Sequence, residues 1–385
     1  MSNIIEENRA VQSSFYQNPT ERIFENGSFE RIPEVLNRFK PQTIVVVCGG
    51  KFFRASPYFG KLQQMLAPYR VIFPQAISKN PTQTFIQEEL DRLRDNAFDL
   101  IVAIGGGSVL DISKILALLP KQPKIDLEPL IEGRYESLRD PVPLIALPTT
   151  SGTGSEVTPY VSLETNEKKK ITLGHPFFYP RVAIIDPELT HSMPAYVTAS
   201  TGFDALSQAI ESFWSVRATP FSQTHALRAL ELIVPNLKKA FLDPTHSIAR
   251  WSMSLGSCEA GLGIAQTKTT AVHSVSYPIT AHFSVVHGHA CALTLAAFIR
   301  FNAPVVGEKG HPMLRIFGVS DYESMAREIE KMMDDVGLEK SLSKLGIDES
   351  GMELILREGF RPDRIKNNPR FVDVDDLRQI LKSLI

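Results

Sequence analysis

The chain is expected to fold as two parts of different class: an α/β domain built on a parallel sheet, then an all-helical domain. Three observations predict this. Continuous apolar runs alternate with amphipathic stretches in the first half, the pattern of parallel strands covered by helices on both faces. No convincing strand pattern appears after about Met193. Two loops rich in glycine and hydroxyl groups follow two of the apolar runs, where open α/β sheets bind ligands.

Taken in order, TIVVVCGG from Thr43 reads as a buried strand and SPYFGKLQQMLAPY as a helix. YRVIFPQAI reads as a strand, TQTFIQEELDRLRDNAF as a helix, FDLIVAIGGG as a strand and SVLDISKILALL as a helix. PLIALPTT is a further strand, VTPYVSLETNEKKKITL a β-hairpin with a polar tip, and RVAIID the last strand. The segment DPELTHSMP, Asp186 to Met193, breaks the pattern and marks the boundary. Seven helical segments follow, from PAYVTASTGFDALSQAIESFWS to VDDLRQILKSLI. Residues 1–190 and 191–385 are assigned to the two domains.

The 385 residues exceed one ordinary core and fit two domains. Hydrophobic content of 43% and charged content of 22% are those of a soluble globular chain, and the net charge of −2 offers no field for nucleic acid or an anionic membrane. No apolar run reaches the roughly 20 residues of a membrane span. The start, MSNIIEENRAVQSSF, lacks a basic head followed by an apolar core, so no secretion signal is expected. Three scattered cysteines, Cys48, Cys258 and Cys291, suggest a reducing, cytoplasmic setting without a disulfide framework.

Gly105, Gly106, Gly107 and Ser108 follow a strand and open a helix that carries Asp111. Glycines admit a ligand close to the backbone, and the helix N-terminus offers free N–H groups and a partial positive charge to a pyrophosphate. The spacing is neither G-x-G-x-x-G nor a P-loop, and a tight turn without ligand is the alternative. The second loop, Pro148 to Glu156, supplies Thr149, Thr150, Ser151 and Thr153 between glycines; alone it would equally read as a polar surface loop. Both loops at strand carboxyl ends of one sheet point to a dinucleotide. The first domain is therefore read as dinucleotide-binding.

The helix GFDALSQAIESFWS carries Asp204 and Gln208 one turn apart on one face. Downstream, AVHSVSYPITAHFSVVHGHACA holds His273, His282, His287 and His289. A lone histidine is usually a core or surface residue; four within seventeen residues suggest a site.

With AIGGGSVLDISK, LPTTSGTGSEVTP, AIIDPELT, GFDAL and the His273…His287-Gly288 pair, the sequence resembles the iron-containing (group III) alcohol dehydrogenases over nearly its whole length. The resemblance implies a dehydroquinate synthase-like architecture with the site in the interdomain cleft, and usually a homodimer or larger assembly. It implies a divalent metal (iron first, zinc or manganese as alternatives) on the positions Asp204, Gln208, His273 and His287. Two family histidines are replaced, by Gln208 and Tyr277. Glutamine is a harder, weaker donor than imidazole. Gln208 is therefore expected as a weak fourth ligand or as a hydrogen-bond partner; in the metal-free alternative it would bond Asp204 across a turn.

The implied reaction is hydride transfer between a nicotinamide and a small alcohol or aldehyde, with Tyr277, His289 and the cofactor ribose hydroxyls as candidate proton routes. The first strand ends at Gly49 and Gly50 without the aspartate that binds ribose hydroxyls in NAD-preferring members, and Lys51 and Arg54 follow. NADP(H) is therefore expected over NAD(H), unless those cations are ordinary surface charges. The segment from Ala265 to Ala290 is similar to the phosphonoacetaldehyde reductases, which implies an anion subsite; Lys268, Thr269, Thr270 and His289 are the candidates, and a small uncharged aldehyde is the alternative. Competing readings on the same fold are a metal-independent, maleylacetate reductase-like enzyme, a dehydroquinate synthase, and a degenerate nucleotide-binding protein.

Overall fold

The computed structural model describes residues 16–49, 51–75, 77, 81–122, 125–136 and 138–385. Its strands, in chain order, are β1 (Glu21–Phe24), β2 (Thr43–Cys48), β3 (Arg70–Ile72), β4 (Leu100–Gly105), β5 (Leu144–Pro148), β6 (Tyr160–Glu164), β7 (Lys170–Gly174) and β8 (Val182–Ile185). Six of them form one all-parallel sheet in the order β1-β8-β5-β4-β2-β3, and β6 and β7 pair as an antiparallel hairpin. β2, β4, β5 and β8 are buried at every position. Alternation assigns their side chains to two cores. Val45, Val47, Ile101, Ala103, Leu144 and Ala146 pack on one face, and Ile44, Val46, Val102, Ile104, Ile145 and Leu147 on the other. Burial on both faces is what produces unbroken apolar runs instead of alternation.

Two edges depart from the sequence expectation. β1, ERIF, escapes the pattern because it is four residues long and exposed or half-buried, and it joins the sheet only through β8. Among its described residues, the run YRVIFPQAI contributes only Arg70–Ile72 as strand, at the opposite edge.

At the end of β8, Asp186 accepts hydrogen bonds from the backbone N–H groups of Gly27, Phe29 and Glu188 (each 3.0 Å), and the chain turns through Pro187–Thr190. From there on helices follow, and no strand occurs among the described residues. Ala195–Trp214, Pro220–Ile233, Ser247–Thr267, Ala271–Phe283 and His287–Val306 share one core with Tyr322–Asp335, Glu349–Gly359 and Val374–Lys382. The single segment expected over PFSQTHALRALELIVPNLKKAF splits into Pro220–Ile233 and Leu237–Leu242. Pro235, between them, cannot donate to a continuing helix.

The stretch His287–Phe317 has the length and mean hydropathy (1.5) of a membrane span, but 61% of its apolar window is buried inside the protein. The apolarity belongs to the core. The sheet domain and the helices meet at a pair of glycines: a Cβ on Gly154 would come within 2.5 Å of the Gly261 Cα. Backbone thus lies on backbone, and the hydroxyl-rich loop is held against the Ser247–Thr267 helix.

Candidate active-site cleft and metal centre

One cleft runs from the carboxyl ends of β2, β4 and β5 to the helices of the second domain. On the sheet side it is lined by Gly49, Gly105, Gly106, Gly107, Ser108, Asp111, Thr149, Thr150 and Thr153. The helix Gly107–Leu116 starts at Gly106 with no side chain capping it. The N–H groups and positive dipole end of its first turn are therefore free for an anion, which fits a cofactor pyrophosphate. Ser151 does not line this wall; its hydroxyl bonds Ser254 (3.1 Å) and anchors the loop. Asp111 uses its carboxylate within the protein: it accepts from Ser155 Oγ (2.5 Å) and the Ser162 N–H (2.8 Å). Burial pushes its acid upward, against Lys114 and these hydrogen bonds. Gly50 and the side chain of Lys51 lie outside the described residues. Arg54 is exposed, with its guanidinium over Phe59 and Phe73.

Asp204, Gln208, His273 and His287 meet on the facing wall. Asp204 Oδ1 lies 3.3 Å from His273 Nε2 and 3.9 Å from His287 Nε2. Three helices supply them. Asp204 sits mid-helix in Ala195–Trp214, His273 in the first turn of Ala271–Phe283, and His287 opens His287–Val306. The close crossing depends on Gly288, where a Cβ would come within 1.8 Å of the Ser200 carbonyl oxygen. Any larger residue there would push His287 away from Asp204.

The imidazoles are held from behind. Glu211, fully buried, bonds His273 Nδ1 with one oxygen. Its other oxygen accepts from the Thr270 N–H (2.8 Å), the Thr270 hydroxyl (2.6 Å) and the His273 N–H (3.3 Å). One carboxylate thus caps the His273 helix and orients the ring, leaving Nε2 for the cleft. Burial alone would raise the Glu211 acid; His273 and Thr270 hold it below its ordinary value. Ser276 Oγ stands 3.3 Å from His287 Nδ1 and does the same service there. Burial, with Lys170, His273 and Arg364 nearby, drives the His287 imidazole well below its ordinary value, which keeps the ring neutral and its Nε2 able to bind a metal. Gln208 donates its amide N–H to Asp204 Oδ1 (3.1 Å) and the Thr153 carbonyl (3.5 Å), while its Oε1 is buried without a partner. A carboxylate, two imidazoles with Nδ1 occupied and a spare amide oxygen fit a divalent metal.

Glu211 is absent from the sequence reading. Its signal was there: Asp204, Gln208 and Glu211 recur at i, i+4 and i+7 on one face of the helix, among serines and a threonine.

Beside this cluster the cleft is cationic. Tyr277, Lys170, Lys268, Thr269 and Arg364 line it. Arg364, 7% exposed, donates to the hydroxyls of Thr269 and Thr172 (the latter 3.1 Å), and its Nε has no partner. No carboxylate pairs with it among the described residues. Lys170, Arg361 and Arg364 lie 5.5, 5.3 and 5.0 Å from the Tyr277 ring centre. Burial would push the Tyr277 phenol upward; Arg364, Lys170 and the Thr172 hydroxyl (2.9 Å) bring it below its ordinary value. Lys268 joins two helices at φ 58° and ψ 178°, a region otherwise kept for glycine and costing about 1–3 kcal/mol. Asn367 clamps this turn, donating to the carbonyls of Thr267 (2.8 Å) and Thr269 (2.9 Å).

Arg364 and Lys170 went unseen in the sequence because the short helix Pro362–Ile365 and the hairpin tip carry no motif. Two expected residues fall elsewhere. His289 lies off the cleft, its ring bonded to the Tyr196 hydroxyl (3.1 Å) and the Glu339 carbonyl (2.7 Å). Thr270 faces Glu211, not the cleft.

Residues 198–385 match the family model of the Fe-containing alcohol dehydrogenase C-terminal domain, and residues 19–187 that of the iron-containing alcohol dehydrogenases. Long-chain-alcohol dehydrogenase 1 of Geobacillus thermodenitrificans is 30% identical over 354 residues, 88% of each chain. Lactaldehyde reductase of Escherichia coli is 29% identical over 78% of this chain and 81% of its own. The crystal structure of sulfoacetaldehyde reductase from Bifidobacterium kashiwanohense in complex with NAD+ superposes with a TM-score of 0.89, at 32% identity, over 97% of this chain and 99% of that one. Two matched domains, the glycine turn and the Asp204–His273–His287 cluster converge on one conclusion: this chain belongs to the iron-containing alcohol dehydrogenase family.

Proposed function

We propose that this enzyme is an NADP(H)-linked, metal-dependent reductase of small aldehydes that carry a phosphonate or sulfonate group. The observation that carries the substrate class is Arg364: a buried guanidinium in the cleft wall, beside the metal cluster, bonded only to hydroxyls. A desolvated cation without a counter-charge is costly, and an anionic substrate group would restore it. A guanidinium fork also matches the geometry of phosphonate or sulfonate oxygens. Lys170 and Lys268 add charge on the same side, and Asp363 is the acidic residue that tempers Lys268.

A bound metal would supply Lewis-acid polarisation of the carbonyl, and a bound nicotinamide the hydride. Asp204, His273 and His287 would hold the metal, with Glu211 and Ser276 fixing the rings. Arg364 and Lys170 would fix the anionic end, leaving the aldehyde end toward His287. Tyr277, beside His287 and in contact with Thr172, is the protein's proton route, with His289 off the cleft. NADP(H) preference is supported by the lack of an acid at the end of β2 and by Arg54, close to Cys48 at the same strand end. Three buried free thiols support a reducing, cytoplasmic setting.

The test is kcat/KM with NADPH for phosphonoacetaldehyde, sulfoacetaldehyde and butanal, in wild type and Arg364→Met. The anionic aldehydes should be preferred, and the substitution should cost them roughly 10–100-fold while sparing butanal, as for a lost charged hydrogen bond. Equal use of butanal by the wild type, or an equal loss for all three substrates, overturns the substrate class.

A further inference from the structure

One donor at the metal cluster has no place in the family pattern quoted above: the thiol of Cys291. It lies one turn after His287 on the same helix face, and it is fully buried. Ligand atoms of Asp204, His273, His287 and Cys291 all lie within 4.8 Å of one another. A tetrahedral site with bonds of about 2.0 Å to N and O and 2.3 Å to its one S has edges of ~3.3–3.5 Å. The 3.3 Å between Asp204 and His273 already matches, and 3.9 Å between Asp204 and His287 is close. The widest pair needs to draw in by at most about 1.3 Å, a movement within reach of side-chain rotation around a bound ion.

Gln208 does not make the same claim. Its amide N–H groups are turned toward Asp204 and the Thr153 carbonyl, which holds the carboxylate in place and commits the side chain to donating. Its free Oε1 is a weaker donor than a thiolate. Position also separates the two. Asp204, Gln208, His273 and His287 line the cleft, whereas Cys291 does not. A ligand on the buried side closes the back of the site and leaves the cleft side open for a substrate oxygen.

We infer that Cys291, as thiolate, is the fourth protein ligand of the metal, making up for the imidazole that Gln208 replaces. Binding releases one proton from the thiol to solvent and forms one metal–sulfur bond; nothing is oxidised or reduced. A thiolate beside two imidazoles and one carboxylate makes the donor set softer than one of nitrogen and oxygen alone.

The experiment uses the full-length protein stripped of metal and reloaded with cobalt(II) or zinc. The cobalt form should show a near-ultraviolet thiolate-to-metal charge-transfer band that Cys291→Ser abolishes and Cys258→Ser, a buried thiol elsewhere in the fold, retains. X-ray absorption of the zinc form should show one sulfur at about 2.3 Å. A first shell of nitrogen and oxygen alone in the wild type overturns the inference, as does a band that survives Cys291→Ser. Should Cys291→Ser not fold, the wild-type absorption spectrum decides by itself. Neither readout involves an aldehyde, so this inference and the proposed substrate class fail independently.

Discussion

The two walls of the cleft are built by opposite means. The sheet wall is mostly backbone: Gly105 to Ser108 and the loop from Thr149 present N–H groups and small hydroxyls, each within one short stretch of chain. The helical wall is side chain: Asp204, Glu211, His273, His287 and Arg364 come from four separate helices, and their neighbours Lys170 and Thr172 from the hairpin. The first wall tolerates no added bulk at Gly105 or Gly107; the second depends on keeping its partners. The difference predicts that each wall can be broken without the other.

His273→Ala gives the largest expected effect. Bound metal should be lost and kcat should fall roughly a thousandfold, about 4 kcal/mol, while the Kd for the dinucleotide stays put. Metal analysis and cofactor titration on one sample check this; a parallel loss of dinucleotide binding would mean the walls are not separable.

Next comes Glu156, buried in the hydroxyl-rich loop, whose acid burial pushes up to about 7, against its own backbone N–H and Lys114. The native carboxyl keeps its proton up to that value, whereas the unfolded chain releases it near the ordinary 4.5. The native state therefore binds more protons between the two, and stability falls as pH rises through that window, by at most about 3 kcal/mol. Glu156→Gln should flatten this slope, leaving the variant relatively more stable at pH 8 than at pH 5 in thermal melts. An unchanged slope would place the titration elsewhere.

Gly107→Ala is the reciprocal of His273→Ala. A Cβ there would meet the Thr153 side chain at 2.6 Å. Dinucleotide affinity should drop about tenfold, ~1.4 kcal/mol, with metal content unaltered. Metal loss in this variant would sink the comparison.

The smallest effect is expected from Lys268→Gly. Relief of the backbone strain, less the flexibility that glycine adds to the unfolded chain, leaves about 1 kcal/mol and a melting point higher by roughly 1–2 °C. KM for an anionic aldehyde should rise while that for butanal holds. A lower melting point would show that Lys268 is there for stability.

These two walls were not equally legible. Gly105, Gly106, Gly107, Thr149, Thr150 and Thr153 could be read because a strand, a glycine turn and a helix start are adjacent in the chain. Asp204, His273 and His287 were reached through a resemblance, and the structure brings them together. Glu211 was missed although its i+7 spacing was visible, because a carboxylate on a helix is ordinarily a surface charge. His289, two residues after His287, points to Tyr196 and Glu339 instead, since positions i and i+2 on a helix do not share a face.

Hydrophobic period alone determined the architecture: unbroken apolar strands require cover on both faces, and the loss of that pattern after Asp186 requires helices. Local chemistry alone determined the phosphate-type turn, since glycine and a helix N-terminus act over a few adjacent residues. Only the tertiary structure decided which residues complete the helical wall. Arg364 and Lys170 are held near Tyr277 and His287 by a glycine-tight helix crossing, an asparagine clamp and a hairpin. Such contacts join positions tens to hundreds of residues apart, and no periodicity in the chain encodes that proximity.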